Sequence, residues 1–293
     1  MKRPLSIVIF SKDRAAQLDL CLKSIYSNLN SLSKEWIIDI IYTSSSEEFE
    51  MGYKEIRSEW EEYPFISFYP ESFGGGFKQT LERRVDHWGD YVLFFTDDDI
   101  VYRKFEHSIK EIEASIGDKE NLCLCLRLGS NTFVQDQYRN TKCIIPEDVF
   151  LSEDTIRFWE WKKQGEESNF SYPFSLDGHV YKIKDVKYVL DNTPGYYNPN
   201  SLEGKAHYYH VKTDLGANLP DKMSCFEKSY VVNTPLNRVQ ETCTNSAGKF
   251  FGQSPEELNT SVLKGSRLCL EKMEFDTIIG VHQELKLFWG EKQ

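Results

Sequence analysis

Tyr91-Val-Leu-Phe-Phe-Thr-Asp-Asp-Asp99 is the stretch from which the rest of the chain can be read. Its first five residues are aromatic or aliphatic, a short continuous apolar run of the kind that forms a buried strand. Asp97, Asp98 and Asp99 therefore leave that strand together at its carboxyl end, where open α/β sheets bind ligands. Two carboxylates about 5 Å apart repel by roughly 3 kcal/mol at an effective dielectric near 20, so a group this tight is stable chiefly when a cation neutralises it. Oxygen-only ligands favour Mg2+ or Mn2+ over zinc. An acidic turn simply solvated after a strand is the competing reading.

The residues before this strand alternate strand and helix. Leu5 to Phe10 is a near-continuous apolar strand, and Ser11-Lys-Asp-Arg14 turns into a helix with Leu18, Cys21, Leu22 and Ile25 at helical spacing. Trp36 to Tyr42 reads as a strand ending in Thr43-Ser-Ser-Ser46, and Phe65 to Tyr69 as another, followed by Gly74-Gly-Gly76 and a helix from Phe77 to His87. Such alternation predicts an α/β fold with a mainly parallel sheet flanked by helices. Four loops then gather on one edge: 11–14, 43–46, 73–78 and 97–99. The glycine triplet opens a helix whose first turn carries Lys78, which suits a phosphate or sugar hydroxyl, with an ordinary flexible loop as the alternative. It matches neither the P-loop nor the dinucleotide fingerprint.

Composition narrows the function classes. The chain has 293 residues, 40% apolar and 14% aromatic, enough for a sizeable core. A net charge of −11 argues against a nucleic-acid groove, so no nucleic-acid partner is expected. Seven cysteines without a paired Cys-x-x-Cys signature fit a reducing compartment, with Cys123 and Cys125 on one strand face as small buried hydrophobes. No apolar stretch reaches 18 residues and no signal peptide is evident, so a cytoplasmic protein without a transmembrane segment is expected, any membrane contact being peripheral.

Several of these segments in order resemble glycosyltransferases of the GT-A type, family 2. Ser6-Ile-Val-Ile-Phe-Ser-Lys-Asp-Arg14 is similar to the strand and turn that open their nucleotide site, and Ser72-Phe-Gly-Gly-Gly-Phe-Lys-Gln-Thr80 to their glycine segment. Phe94-Phe-Thr-Asp-Asp-Asp99 is similar to their Asp-any-Asp metal motif, and Asp177-Gly-His-Val-Tyr-Lys-Ile-Lys184 to their acceptor-side glycine segment. Asn200-Ser-Leu-Glu-Gly204 falls where they carry the catalytic base. The resemblance implies a GT-A, Rossmann-like core over residues 1–215, with a C-terminal elaboration over 216–293 that packs on it and closes the donor site. It implies that Asp97 and Asp99 handle Mn2+ or Mg2+ and the diphosphate. Asp98 would face the sugar or ribose, Ser11, Asp13 and Arg14 the nucleotide, and Gly75 and Lys78 the diphosphate. The departure is at the second strand: Thr43 and Ser44 stand where the family presents acids to the base or ribose.

The implied activity is metal-dependent, inverting transfer of a sugar from a nucleoside diphosphate donor, UDP-linked, to a hydroxyl of a glycan or glycolipid. Glu203 is the expected base, with Asp177 its rival; Asp177 and His179 are the expected acceptor contacts. Capping of a helix over 204–211 by Ser201 and Glu203 is the structural alternative. Other readings are bland: His207 and His210 as packing rather than metal ligands, and Phe158, Trp159 and Trp161 as core rather than a sugar platform. Asn237, Arg238 and Asn245 are candidates for a closing segment, with an ordinary Asn- and Thr-rich connection as the alternative. A sugar nucleotidyltransferase should carry a glycine-rich loop after the first strand, which Ser11-Lys-Asp-Arg14 lacks. A non-catalytic sugar-binding protein on the same fold would be expected to lose the acids.

Overall fold

In a computed structural model, residues 3–136, 141–143, 145–146, 149, 155–165, 168–240 and 247–291 are described. The strands are β1 Leu5–Lys12, β2 Trp36–Thr43, β3 Ile66–Pro70, β4 Tyr91–Thr96, β5 Asp99–Val101, β6 Asn121–Cys125, β7 Val134–Asp136, β8 Thr141–Lys142, β9 Ile156–Glu160, β10 His179–Lys182, β11 Lys222–Phe226, β12 Val231–Asn233, β13 Ser266–Leu268 and β14 Trp289–Glu291. The α-helices are α1 Ala15–Asn28, α2 Glu47–Trp60, α3 Glu71–Gly74, α4 Phe77–Val85, α5 Ile109–Gly117, α6 Ile183–Asp191, α7 Pro199–Lys212 and α8 Pro255–Leu263.

Eight strands form the central sheet in the order β3-β2-β1-β4-β10-β6-β11-β9. β1 runs parallel to β2 and β4, β2 to β3, and β6 to β11, while β10 is antiparallel to both β4 and β6 and β9 is antiparallel to β11. The expected α/β architecture, a mainly parallel sheet flanked by helices, is what forms. Both faces are covered: Ile7 and Ile9 of β1 point into one apolar cluster, Val8 and Phe10 into the other. Each such fully buried side chain contributes about 1.5–3 kcal/mol relative to exposure, which is why the parallel strands read as continuous apolar runs.

The reversed direction of β10 positions the site. Its first residue, His179, pairs with Phe94 near the carboxyl end of β4 and with Cys125 at the end of β6. Asp177 and Gly178 therefore arrive at the edge from which the acidic triplet emerges. Gly178 has φ +67, and a Cβ there would come within 3.1 Å of Val231, so the close turn favours glycine. The small antiparallel pair β5–β12 sets Asn233 opposite Asp99.

Helix ends follow their capping residues. Ser46 accepts from Phe49 N at the start of α2, and Ser254 with Glu257 caps α8, whose first residue is Pro255. α7 begins at Pro199 with Asn198 as N-cap and Ser201 completing the box, so Glu203 lies inside the helix and its carboxylate is not used as a cap. Trp159 and Trp161 are buried and donate to the carbonyls of Phe170 and Pro220, which makes them core residues. Among the described residues the cysteines are free thiols, and no helix is long and apolar enough to cross a membrane.

Candidate functional site

β4 ends at Thr96, and the acids form the turn into β5 rather than a solvated loop: Asp97, Asp98 and Asp99 are 3%, 8% and 0% exposed. Asp97 Oδ2 accepts from Ser11 Oγ at 2.8 Å and Lys12 N at 3.1 Å, and its Oδ1 from Arg14 Nη1 at 3.0 Å. Asp98 Oδ2 shares the same Arg14 nitrogen at 3.0 Å, and its Oδ1 accepts from Asn233 Nδ2 at 2.8 Å. Asp99 accepts from Thr96 N at 2.9 Å and Asn233 Nδ2 at 3.2 Å. Thr96 Oγ1 lies 2.8 Å from Asp98 Oδ1 and 3.0 Å from Asp177 Oδ1. One hydroxyl proton thus stands between the triplet and Asp177, in the turn before the reversed strand.

Asp177 is ion-paired with buried Arg127 at 2.8 Å. His282 links the two sides: Arg127 can only donate, so His282 Nε2 accepts from it at 3.3 Å and Nδ1–H donates to Asn233 Oδ1 at 3.1 Å. That tautomer is the neutral one. Half-buried Glu203 reaches back from α7, its Oε1 accepting from Leu176 N at 3.1 Å. Burial, with Asp177 adding repulsion and Arg127 opposing, pushes the Glu203 carboxyl up to about 7.

Four buried carboxylates, Asp97, Asp98, Asp99 and Asp177, face two guanidinium groups, Arg14 and Arg127. Fully ionised they leave two negative charges in excess. The strain shows in the acids themselves: burial raises Asp97 to about 6 against the pull of Arg14, and raises Asp99 well above the usual carboxylate range, with Asp177 and Asp98 adding to it. Among the described residues no three His, Cys, Asp or Glu side chains converge so as to hold an ion unaided. The excess charge and the oxygen-only donors nevertheless suit Mg2+ or Mn2+, which commonly use one or two carboxylates and take the rest of their shell from phosphate and water.

Of the other candidate residues, His179 and Asn237 are bonded to members of this centre, and Asp13 lies between Lys12 and Arg14, which bond Asp97. Asp13 adopts φ +55, a left-handed backbone rare outside glycine, and its Oδ1 accepts from Ser45 N at 2.7 Å while its own N–H donates to the Thr43 carbonyl. Together with the Asp97 bonds to Ser11, Lys12 and Arg14, these tie loops 11–14, 43–46 and 97–99 to one another. Ser44 Oγ donates to Glu50 at 2.8 Å. Gly75 is left-handed at φ +86, and Lys78 is ion-paired with Glu82 at 3.6 Å and sits 5.0 Å from the Tyr196 ring. His179 is 1% exposed beneath Asp177, its Nδ1 bonded to the Asp177 carbonyl at 2.9 Å; burial pushes it down to about 3, so it is neutral. His207 stacks on Tyr172, and His210 is buried beside Thr193. Asn237 receives Arg14 Nε at 2.7 Å and, through its carbonyl, Nη2. Arg238 is exposed, and Asn245 lies outside the described residues.

Thr96, Arg127, Asn233 and His282 have no role in the reading of the sequence. Arg127 could have been found by the logic applied to Asp97: a charged residue just beyond the apolar alternation Leu122-Cys-Leu-Cys-Leu126. Asn233 and His282 carry no such signal, because what places them is strand pairing distant in sequence.

No protein-family model matches the chain. It is 25% identical over 261 residues to the bifunctional glycosyltransferase pgtA of Dictyostelium discoideum, covering 82% of this chain and 33% of the relative. The chain thus spans about a third of that glycosyltransferase's length. Among solved structures it is similar to S. aureus TarS 1-349 in complex with UDP-GlcNAc (17% identity, TM-score 0.45, 84% of this chain and 62% of that one). It is also similar to the mannosyltransferase PcManGT from Pyrobaculum calidifontis in complex with GDP-Man and Mn2+ (10% identity, TM-score 0.42, 78% and 55%).

Proposed function

We propose that this chain is a glycosyltransferase of the GT-A type that moves a sugar from a nucleoside diphosphate donor, UDP-linked, to a hydroxyl of a glycan or glycolipid, with inversion at the anomeric carbon. The observation that carries the reading is the meeting of two acid groups at one sheet edge: Asp97–Asp99 just after β4, and Asp177 just before β10 with Glu203 of α7. The sequence similarity to a glycosyltransferase supports it.

Transfer breaks the anomeric carbon–oxygen bond and leaves charge on the diphosphate, while the acceptor hydroxyl must lose a proton. Asp97 and Asp99 would hold Mn2+ or Mg2+, and the ion when bound supplies electrostatic stabilisation of that developing charge, worth several kcal/mol. Asp98 orients the donor sugar or ribose, and the 11–14 turn with Thr43, Ser44, Gly75 and Lys78 flanks the nucleotide. Arg14 keeps the acids from repelling one another before the donor arrives. On the acceptor side Glu203 takes the hydroxyl proton. A carboxyl near 7 is poised for that work at neutral pH, since a stronger base would stay protonated and a weaker one would pull less. Asp177, fixed by Arg127 and Thr96 with His179 beneath its loop, orients the acceptor. Attack from the face opposite the leaving group inverts the configuration. Residues 216–293 supply Asn233, Asn237 and His282 to the same centre.

A panel of UDP- and GDP-sugars incubated with Mn2+, read as slow donor hydrolysis, tests the reading. Turnover of a UDP-sugar is expected. No hydrolysis of any nucleotide sugar, together with no nucleotide binding, would overturn it.

A further inference from the structure

Tyr53 lies on α2, outside every segment the sequence reading singled out. It is 1% exposed, with its ring 4.6 Å from that of Tyr42. Its hydroxyl oxygen is 2.6 Å from Ser11 Oγ and 3.1 Å from Arg14 N, and Ser11 Oγ is in turn 2.8 Å from Asp97 Oδ2. These contacts fix the protons. A backbone N–H only donates, so the Tyr53 oxygen accepts from Arg14. Were Ser11 to donate to Tyr53, the Asp97 carboxylate would face serine lone pairs and the phenol proton would have no acceptor among these groups. The consistent assignment is Tyr53 O–H to Ser11 Oγ, and Ser11 O–H to Asp97 Oδ2.

We propose that Tyr53 is a positioning residue of the donor site, setting the orientation of Asp97 through Ser11 and holding the left-handed turn at Asp13 through the Arg14 amide. The inference rests on the donor-site reading above and extends it to helix α2. Two other ties secure the turn, Asp13 N to the Thr43 carbonyl and Ser45 N to Asp13 Oδ1. Tyr53 supplies a third, and through Ser11 it joins the direct bonds that Lys12 N and Arg14 Nη1 make to Asp97. Its phenol is therefore a link between the nucleotide turn and the charge-bearing end of β4, and polar chains of this kind couple their members beyond pairwise sums.

The test compares wild type, Tyr53→Phe, Ser11→Ala and the double variant. It measures dissociation constants of UDP and GDP with Mn2+ by calorimetry, KM and kcat for hydrolysis of the corresponding nucleotide sugars, and melting temperature. Phenylalanine keeps the ring packing and removes only the hydroxyl. Each single variant is expected to weaken nucleotide binding about five- to tenfold, a typical hydrogen-bond effect, with KM rising by more than kcat falls. The double variant is expected to be no weaker than about twice the worse single, because both changes cut one chain. Wild-type affinity in Tyr53→Phe, or a double variant equal to the product of the singles, would overturn the role. Should Tyr53→Phe fail to fold, Ser11→Ala decides by the same criteria, since unaltered affinity there leaves no path from Tyr53 to Asp97. A wild-type protein that binds neither nucleotide would end the donor-site reading itself, and this role with it.

Discussion

Asp97 and Asp98 share a single nitrogen of Arg14, whereas on the opposite side of the site Asp177 is paired with Arg127 and, among the described residues, no cation is ion-paired with Glu203. The two sides thus carry the same kind of group with different compensation. Where two acids share one guanidinium nitrogen and Asp99 beside them has no cation bonded to it among the described residues, the missing charge is concentrated at the end of β4, and a divalent ion is the natural complement. Where one acid is ion-paired and its neighbour is not, burial, with Asp177 adding repulsion, lifts the unpaired carboxyl to about 7, a value that suits the base role proposed for Glu203. Compensation, more than residue type, separates the two roles.

The comparison can be broken at its donor side first. Asp99→Ala is expected to reduce sugar transfer by roughly 10^3-fold or more, the scale of losing preorganised charge stabilisation at a leaving group; near-normal turnover would remove the triplet from the chemistry. On the acceptor side, Glu203→Gln should lower transfer about 10^2–10^4-fold while nucleotide affinity stays within twofold. If Asp177→Asn shows that pattern and Glu203→Gln does not, the base moves to Asp177. Arg127→Met should leave Asp177 buried without its partner and lower unfolding free energy by about 3–5 kcal/mol in denaturant titration. Because the base must be ionised, the rate of transfer should fall about tenfold per pH unit below about 7 and level off above it.

The smallest expected effect concerns His179. Its folded-state value, about 3, lies below the unfolded value near 6.5, so its contribution to stability is intact above pH 6.5 and is lost as pH falls toward 3. By pH 5 the loss is about 2 kcal/mol, and His179→Gln should flatten the acid limb of a stability-versus-pH curve by that amount. An unchanged limb would mean that the imidazole is not held neutral.

How much of this was legible in the sequence differs between the halves. In the first, strands paired in parallel leave near-continuous apolar runs where both faces are buried, as in β1 and β4, and an aromatic-rich run at the half-buried edge strand β3, so β1, β2, β3 and β4 and the acids beyond β4 are visible as text. The reversed strand β10 is four residues long, and what identifies it is its pairing with β4 and β6. A helix start near residue 204 falls several residues late for α7, whose true start is marked by Asn198 as N-cap and Pro199 in the first turn, with Ser201 only completing the box. Asn233 and His282 meet Asp98, Asp99 and Arg127 only through contacts spanning 49 to 155 positions, a distance over which local periodicity carries no information. The burial of the triplet was likewise hidden, since β5 begins at Asp99 itself and turns the acids inward.

The most direct test of the central claim, that the acids at the end of β4 grip a divalent ion which in turn holds a nucleoside diphosphate, is a calorimetric titration of the wild-type protein with UDP in the presence and absence of Mn2+. The account predicts binding with Mn2+ that weakens by at least about tenfold when the ion is removed by chelation. Equal affinity under both conditions would contradict it.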